Sequence, residues 1–399
     1  MEQLLHKLNI ETLSLLIFGI SFAISYVIIP KVISINRYKK LMDHPDERSS
    51  HLNEIPTLGG IGFFISSIFS LFIIHFYDDV DICFNIIIGL TILFFVGIKD
   101  DLMVLSAKSK ILAQLLAITF ILINPDLYIQ NLHGFLGINE ISIYFIIPIS
   151  YFFMIFIINA YNLIDGIDGL AAMLGVLIFS IYAIFFYFVG LNVYFLLSVV
   201  TVGFLIAFLR FNLSRKNKIF MGDTGSMILG FLIGMMTLRF LALNVTQFQE
   251  VHIKPQNSLL VALSILFFPV IDVIRVILMR LINKKKIFYP DRCHMHHILI
   301  DKGITHIKAS ITLTLSSLFI FFVIFLTNTF LSNLSLSILF LILTLGTFYV
   351  LMILDSDKKA RKYRKKFKSL FPRSFQKREF RLRKSIIVKM KSLFFRNLL

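Results

Sequence analysis

Long apolar runs are the feature that most constrains how this chain can fold. Runs of about 17–25 apolar residues are read as transmembrane helices, because that length crosses the hydrocarbon core of a bilayer. The chain is 57% hydrophobic with a mean hydropathy of +0.83, which is too apolar for a soluble globular protein, whose surface needs more charge. We therefore predict an all-α polytopic integral membrane protein with about eleven transmembrane helices, at residues of roughly 12–34, 58–76, 84–98, 110–123, 143–160, 169–188, 192–209, 226–243, 258–281, 309–328 and 334–354.

Lysine and arginine are concentrated in alternate loops, and this bias predicts the orientation. They cluster in residues 31–48, 99–108, 210–218 and 284–286, whereas the intervening loops are nearly bare. Basic loops stay on the cytoplasmic side, so the N-terminus is expected outside and the C-terminus in the cytoplasm. Residues 1–355 then form one multi-span domain. Its cytoplasmic loops are expected at about 35–57, 98–109, 159–169, 210–226 and 282–308.

The C-terminal segment 356–399 carries nearly all of the net charge. From Lys358 to Arg396 there are 17 lysines and arginines against the single Glu379, which gives +16 of the chain's +17. Interleaved phenylalanine and leucine favour amphipathic segments that bind an anionic inner leaflet. A solvated topology anchor is the simpler alternative, and nucleic acid is not an expected partner.

The polar residues outside these basic runs form five clusters, all in loops expected on the cytoplasmic side. External loops carry nothing comparable, so the clusters are expected to converge on one site at the membrane surface. They read DHPDERSSHLNEIPTLGG (43–60), IKDD (98–101), NAYNLIDGIDG (159–169), FMGDTGS (220–226) and PDRCHMHH (290–297).

Two of these clusters contain aspartates close to predicted helix ends. Asp223 precedes a helix, and the glycines on either side leave backbone N–H groups accessible, as in anion sites at helix N-termini. Aspartate there repels a phosphate unless a divalent cation lies between them, and oxygen ligands in this number suit Mg²⁺. Asp100 and Asp101 are adjacent, and in isolation such a pair is more often a solvated helix end.

The third acidic cluster is harder to explain as structure alone. Asp165 and Asp168 lie just ahead of a helix, where either could be an N-cap. Capping accounts for one of them but not for both together with Asn159 and Asn162. Charged groups are costly in hydrocarbon, so we expect these residues to line a polar cleft.

The last cluster combines histidines with an arginine. Zinc is one reading of clustered histidines, but the short spacings of His294, His296 and His297 do not place three ring nitrogens easily around one ion. With Arg292 they are better suited to donate to phosphate oxygens.

Two further pairs of polar residues have roles that differ from those of the acidic and histidine clusters. Arg48 and His51 are additional candidates for phosphate binding. Asp272 and Arg275 lie three residues apart inside the ninth apolar run and are expected to pair with each other. Taken together, the residues suit Mg²⁺-dependent chemistry on a diphosphate at a membrane surface.

In this order the clusters resemble the motifs of the polyprenyl-phosphate N-acetylhexosamine-1-phosphate transferases, membrane enzymes that begin bacterial cell-envelope glycans. The resemblance covers residues from about 43 to 300, and NAYNLIDGIDGLA and FMGDTGS are its most distinctive parts. PDRCHMHH is similar to the branch that uses UDP-N-acetylglucosamine or a related UDP-amino sugar. The basic tail is longer than is typical of the family.

The resemblance implies a reaction, a cofactor and roles for individual residues. A phosphate oxygen of undecaprenyl phosphate attacks the sugar-linked phosphorus of the UDP-sugar, and UMP leaves, with Mg²⁺ (or Mn²⁺) screening the charges. The family implies a bacterial inner-membrane location with the active site on the cytoplasmic face, and a homodimer is possible. Direct displacement and a covalent aspartyl intermediate both stay open. The implied metal ligands and catalytic groups are Asp223, Asp100 and Asp101, and the implied substrate-binding residues are Asn159, Asn162, Asp165, Asp168, Arg48, His51, Arg292, His294, His296 and His297.

Three alternatives stay open at this point. The first is the related phospho-N-acetylmuramoyl-pentapeptide transferase of peptidoglycan synthesis, whose histidine loop is spaced differently. The second is a secondary transporter for an anionic solute, which predicts charges near the midplane and broken helices. The third is an inactive relative that acts as a scaffold, although every motif acid is present.

Overall fold

Helices make up most of the chain in the computed structural model, which describes residues 8–43, 54–78, 81–282, 284 and 294–369. The chain divides into two units, Met1–Gly346 and Thr347–Leu399. In the second unit the described residues continue the last helix. The helices are α1 (Ile10–Lys39), α2 (Gly60–Asp78), α3 (Ile82–Leu102), α4 (Ala107–Leu122), α5 (Ile143–Ile164), α6 (Leu170–Phe188), α7 (Asn192–Asn212), α8 (Gly222–Leu241), α9 (Val245–Glu250), α10 (Ser258–Ile265), α11 (Phe267–Ile282), α12 (Met295–Asp301), α13 (His306–Thr327) and α14 (Asn333–Ser369).

Two small antiparallel strand pairs interrupt the helical pattern, which the all-α prediction did not include. β1 (Met42–Asp43) pairs with β2 (Ile55–Pro56), with Met42 opposite Pro56. β3 (Asn131–Phe135) pairs with β4 (Ile138–Glu140) in the loop between α4 and α5. Both pairs are too short for hydropathy to distinguish them from loops.

Nine helices in the described part of the chain are long and apolar enough to cross a membrane, and this supports a polytopic membrane protein. The predicted fourth span corresponds to α4, which has only 16 residues and is therefore not among these nine.

The predicted ninth span is two helices instead of one. α10 and α11 meet at an angle of 74°. Pro269 explains the break, because proline lacks an N–H and its ring clashes with the carbonyl four residues earlier, at Ile265, where α10 ends. Counted as one broken span, the pair brings the number of candidate spans to ten.

α8 is the buried centre of the bundle, and glycines bring its neighbours close to its first turn. Every residue of its apolar stretch is buried by neighbouring parts of the protein. A Cβ atom on Gly97 of α3 would lie 2.4 Å from the Cα of Thr224, and one on Gly60 of α2 would lie 2.4 Å from the backbone nitrogen of Gly225. Backbones can approach this closely only where both surfaces are small. As a result, the ends of α2 and α3 meet the start of α8.

Candidate active site

The first turn of α8 is capped by an aspartate from another helix. Asp101 Oδ1 accepts a hydrogen bond of 2.7 Å from the backbone N–H of Asp223, and its Oδ2 accepts from the backbone and hydroxyl of Thr224 at 3.1 and 2.6 Å. Gly222 begins the helix with a positive φ of 73°, and a Cβ there would lie 2.6 Å from Asp101 Oδ2. The carboxylate of Asp101 therefore accepts three hydrogen bonds from the start of α8, and these hold α3 against α8.

Lys110 lies between two other motif carboxylates. Its ammonium forms ion pairs with Asp100 Oδ2 and with Asp223 Oδ2, the latter at 3.0 Å. Asp100 Oδ1 also accepts from the backbone of Leu105 at 2.7 Å, and the residue is 6% exposed. Asp100 is thus no solvated helix end, because it is buried and paired.

The asparagines of the third cluster connect α5 to this centre. Asn162 Nδ2 donates to Asp223 Oδ1 at 2.5 Å and to the hydroxyl of Ser226 at 2.9 Å. One turn earlier, Asn159 Nδ2 donates to Gln114 Oε1 of α4 at 2.9 Å. Asn162 therefore contacts the central aspartate directly, whereas Asn159 fixes α5 against α4.

Asp165 lies beside the same centre, in the turn after α5. It ends α5, and the N-cap of α6 is Gly169, so the capping role considered for Asp165 and Asp168 is wrong. Burial, and then the negative charges of Asp223 and Asp101, raise the pKa of Asp165 to about 7. A carboxyl group in such a field is stabilised by any cation placed beside it.

Asp168, three residues further along this turn, has basic partners. Its Oδ2 lies 2.6 Å from Lys218 Nζ and 3.2 Å from His306 Nδ1. Burial alone would raise the pKa of Asp168, but the hydrogen bonds with His306 and Lys218 outweigh it and hold the pKa below its ordinary value. Asp168 is therefore ionised and holds two basic groups in place.

The histidine loop is positioned by a carboxylate from the broken span. Asp272 is fully buried, with Oδ2 2.7 Å from His294 Nδ1 and Oδ1 accepting from the backbone of Met295 at 2.8 Å. We expected Asp272 to pair with Arg275, and that expectation missed this attachment to the histidine loop. An aspartate on Nδ1 sets the tautomer and leaves Nε2 for a ligand.

His296 lies against the turn that contains Asp165 and Asp168. A Cβ on Gly166 would lie 2.5 Å from His296 Nε2, so only glycine allows this approach. Burial, and then the neighbouring His297, lower the pKa of His296 to about 3, which makes it a neutral donor or acceptor. The His297 ring lies beside it in a tilted arrangement, with ring centroids 4.3 Å apart.

A cavity of about 680 Å³ opens beside Asp168. Basic side chains dominate its walls, with Glu54 as a second carboxylate. Its volume is in the range of sites for small organic ligands. The basic residues that line it are Arg37, Arg215, Lys216, Lys218 and His306.

The carboxylates of the candidate site outnumber their cationic partners, so some of their negative charge is available to a metal ion. Among the described residues no group of three or more histidine, cysteine or acidic side chains is arranged to hold a metal ion unaided. Mg²⁺ typically uses only one or two carboxylates and takes its remaining ligands from water and substrate phosphates. Asp223 and Asp165 fit that pattern, since Asp223 is partly exposed and no described residue donates a hydrogen bond to the carboxylate of Asp165. Asp101 fits it less well, because its oxygens already accept three hydrogen bonds.

The contacts described above bring the predicted clusters together. Backbone hydrogen bonds of 3.0 Å from Gly59 to Phe220 and from Gly60 to Met221 add the end of the first cluster. Arg48, His51 and Arg292 lie outside the described residues. The sequence reasoning missed Lys110, because it starts an apolar run, and treated Lys218 only as a sign of topology.

Comparisons with known proteins agree with the resemblance found in the motifs. The sequence profile of glycosyl transferase family 4 matches residues 83–241. The chain is 29% identical over 270 residues to a probable undecaprenyl-phosphate N-acetylglucosaminyl 1-phosphate transferase of Bacillus subtilis, covering 66% of this chain and 71% of that protein. Undecaprenyl-phosphate alpha-N-acetylglucosaminyl 1-phosphate transferases are similar at 28% identity in Salmonella typhi (69% and 74% covered) and 29% in Yersinia pestis (78% and 83% covered).

Proposed function

Since the chain belongs to glycosyl transferase family 4, we propose that it transfers N-acetylglucosamine 1-phosphate from UDP-N-acetylglucosamine to undecaprenyl phosphate and releases UMP. The similar proteins are named for this reaction. The observation that carries the proposal is the junction at the turn 165–168, where the acidic centre around Asp223 adjoins the basic cavity beside Asp168.

The basic cavity suits the nucleotide diphosphate of the donor. Its cationic side chains match the charge of two phosphates, and Lys218 and His306 are held by Asp168 at the edge nearest the acidic centre. A donor bound there places its nucleoside in the cavity and its diphosphate at the edge formed by Lys218 and His306, next to the acidic centre. His296, which lies against Gly166 of the same turn, and His294 are then available to the sugar phosphate.

The acidic centre would hold Mg²⁺ through Asp223 and Asp165. When bound, the ion neutralises charge on the diphosphate and on the departing UMP. Lys110 positions Asp223 from one side and Asn162 from the other. Without a cation these carboxylates would repel both anionic substrates.

We favour direct attack of the lipid phosphate over a covalent intermediate. The attacking phosphate oxygen forms a bond to the sugar-linked phosphorus as the bond from that phosphorus to the UMP oxygen breaks. Asp100 is buried and paired with Lys110, and Asp101 is used as a helix cap, so neither adjacent aspartate presents a free carboxylate oxygen for attack. Asp101 then positions α8, and Asp100 positions Lys110.

The membrane setting of the site is part of the proposal. Counting α4 and the broken span with the nine long helices gives the eleven crossings that agree with the loop charges, an outside N-terminus and a cytoplasmic C-terminus. The site would then face the cytoplasm of a bacterial inner membrane, and the basic tail would bind anionic lipid. The product would start a lipid-linked cell-envelope glycan.

The broken span does not favour the transporter alternative. A transporter would use such a break for a solute site near the midplane. Here the charged residue after the break, Asp272, has both oxygens bonded to the histidine loop at the acidic end of the bundle.

The proposal is tested with purified full-length protein in detergent, undecaprenyl phosphate and Mg²⁺. UDP-N-acetylglucosamine, UDP-N-acetylgalactosamine and UDP-N-acetylmuramoyl-pentapeptide are offered separately, and UMP is measured. We expect lipid-dependent UMP from UDP-N-acetylglucosamine, loss of at least 100-fold in Asp223→Asn, and little change in Asp81→Asn, an exposed aspartate at the opposite end of α3. UMP from the pentapeptide donor alone would support the peptidoglycan alternative, and UMP from no donor would support the scaffold.

A further inference from the structure

A second cavity lies at the end of α8 opposite the acidic centre. It has a volume of about 460 Å³. Arg239, in its wall, follows Asp223 by sixteen positions on the same helix, which is roughly 24 Å at 1.5 Å per residue. The cavity is therefore separate from the proposed active site. Its other polar lining residues include Asp126, Asn131, His133, Asn244 and Gln247.

Arg239 is buried in this wall without an anionic partner. The residue is 9% exposed, its guanidinium lies 5.5 Å from the centre of the Tyr194 ring, and its Nε has no hydrogen-bond acceptor. Among the described residues no carboxylate forms an ion pair with it. A cation near a helix C-terminus is favourable, and this explains its place in the sequence. It does not explain a buried N–H donor without an acceptor, which is costly.

The cavity continues toward an apolar surface. A neighbouring cavity of about 380 Å³ shares Tyr128, Gln130 and Asn131 with it and extends to Ile143 and Ile146 in the first turn of α5. The adjacent Tyr144 and Phe145 are 84% and 67% exposed. A polar chamber that opens onto exposed apolar residues of a membrane helix fits an amphiphile better than a small soluble ion.

The carboxylates in the cavity walls limit which lipid head groups can bind. Asp126 lines the first cavity and Glu140 the second. They disfavour a bare multivalent anion and favour a group that carries hydrogen-bond donors beside its negative charge.

We propose that these joined cavities bind a phospholipid, with its phosphodiester on Arg239, the donors of its head group toward Asp126 and Glu140, and its acyl chains along the start of α5. This site is independent of the sugar-phosphate transfer. It would fix a lipid at the end of the bundle away from the active site.

The test is lipid binding by native mass spectrometry of delipidated full-length protein titrated with dioleoyl phosphatidylethanolamine. We expect the wild type to bind one lipid molecule. Arg239→Gln should bind the lipid with an affinity at least tenfold lower, and the affinity of Arg239→Lys should lie in between. Ala242→Phe keeps the arginine but fills the cavity, and it should lose the lipid as well. Lys254→Gln removes a positive charge outside the cavity lining and serves as the matched control, which should bind like wild type.

Size-exclusion profiles check that each variant is folded. If Arg239→Gln does not fold, Ala242→Phe decides the outcome. Equal lipid binding in wild type and in the folded cavity variants would overturn the proposal. A parallel titration with inorganic phosphate separates the two sources of the anion, because Arg239-dependent binding of phosphate without binding of the lipid would also overturn it.

Discussion

Replacing Lys110 by methionine removes the only described ammonium between Asp100 and Asp223. The side chains of Asp100, Lys110 and Asp223 are 2%, 25% and 31% exposed. Breaking a fully buried pair costs about 3–5 kcal/mol and an exposed pair about 0–1 kcal/mol, so this partly buried bridge should cost about 2–3 kcal/mol. For a chain of this size that lowers the apparent unfolding temperature on the order of 5 °C.

The same substitution tests the proposed cation site without measuring activity. With Lys110 gone, the carboxylates attract a divalent cation more strongly, so Mg²⁺ should restore at least half of the lost stability and raise the unfolding temperature of the variant more than that of the wild type. Thermal unfolding in detergent, with EDTA or with Mg²⁺, measures both effects. Lys108→Met, an exposed lysine on the same helix, is the control and should change little. An equal loss of stability with and without Mg²⁺ would show that no cation binds between these carboxylates.

Three further predictions concern the histidine loop, the cation site and the packing of α3 against α8. Asp272→Asn should lower the turnover rate about 10-fold or more because it releases the tautomer of His294, and a double-mutant cycle with His294→Gln should be clearly less than additive; additive effects would contradict the pairing. The Mg²⁺ concentration for half-maximal activity should fall as the pH rises from 6 to 8 and then level off, because protons compete with the cation for Asp165, whose pKa is about 7; a flat profile would exclude Asp165 as a ligand. Gly97→Ala should destabilise the protein by about 1–3 kcal/mol, since its Cβ meets the backbone of α8, whereas Gly19→Ala, which has open space around it, should not; thermal unfolding compares the two.

Hydropathy located the helices because burial in a bilayer demands long apolar segments, whatever their packing. It could not distinguish the straight spans from the broken one, since α10 and α11 form one continuous apolar run and only Pro269 marks the bend. The short strand pairs carry no periodicity of their own and were missed for that reason.

The acidic and histidine clusters could be read from the sequence because charged residues are rare beside apolar runs and stand out. The basic residues that pair with these clusters could not be identified from the sequence. Lys110 and His306 lie in the first turns of their helices and Lys218 lies in the loop between α7 and α8, and only their distances to Asp223 and Asp168 identify them. Whether an aspartate caps a helix, as Asp101 does, or stays available to a ligand depends on contacts across the bundle that spacing does not encode.

The identity of the released nucleotide distinguishes transfer of the sugar phosphate from transfer of the sugar alone. Purified protein is given undecaprenyl phosphate, Mg²⁺ and UDP-N-acetylglucosamine labelled at the sugar-linked phosphorus, and the lipid product and the released nucleotide are separated. Sugar-phosphate transfer predicts labelled lipid and unlabelled UMP in equal amounts, both lost in Asp223→Asn. Unlabelled lipid together with labelled UDP would mean that the sugar alone is transferred, and the proposed sugar-phosphate transfer would be wrong.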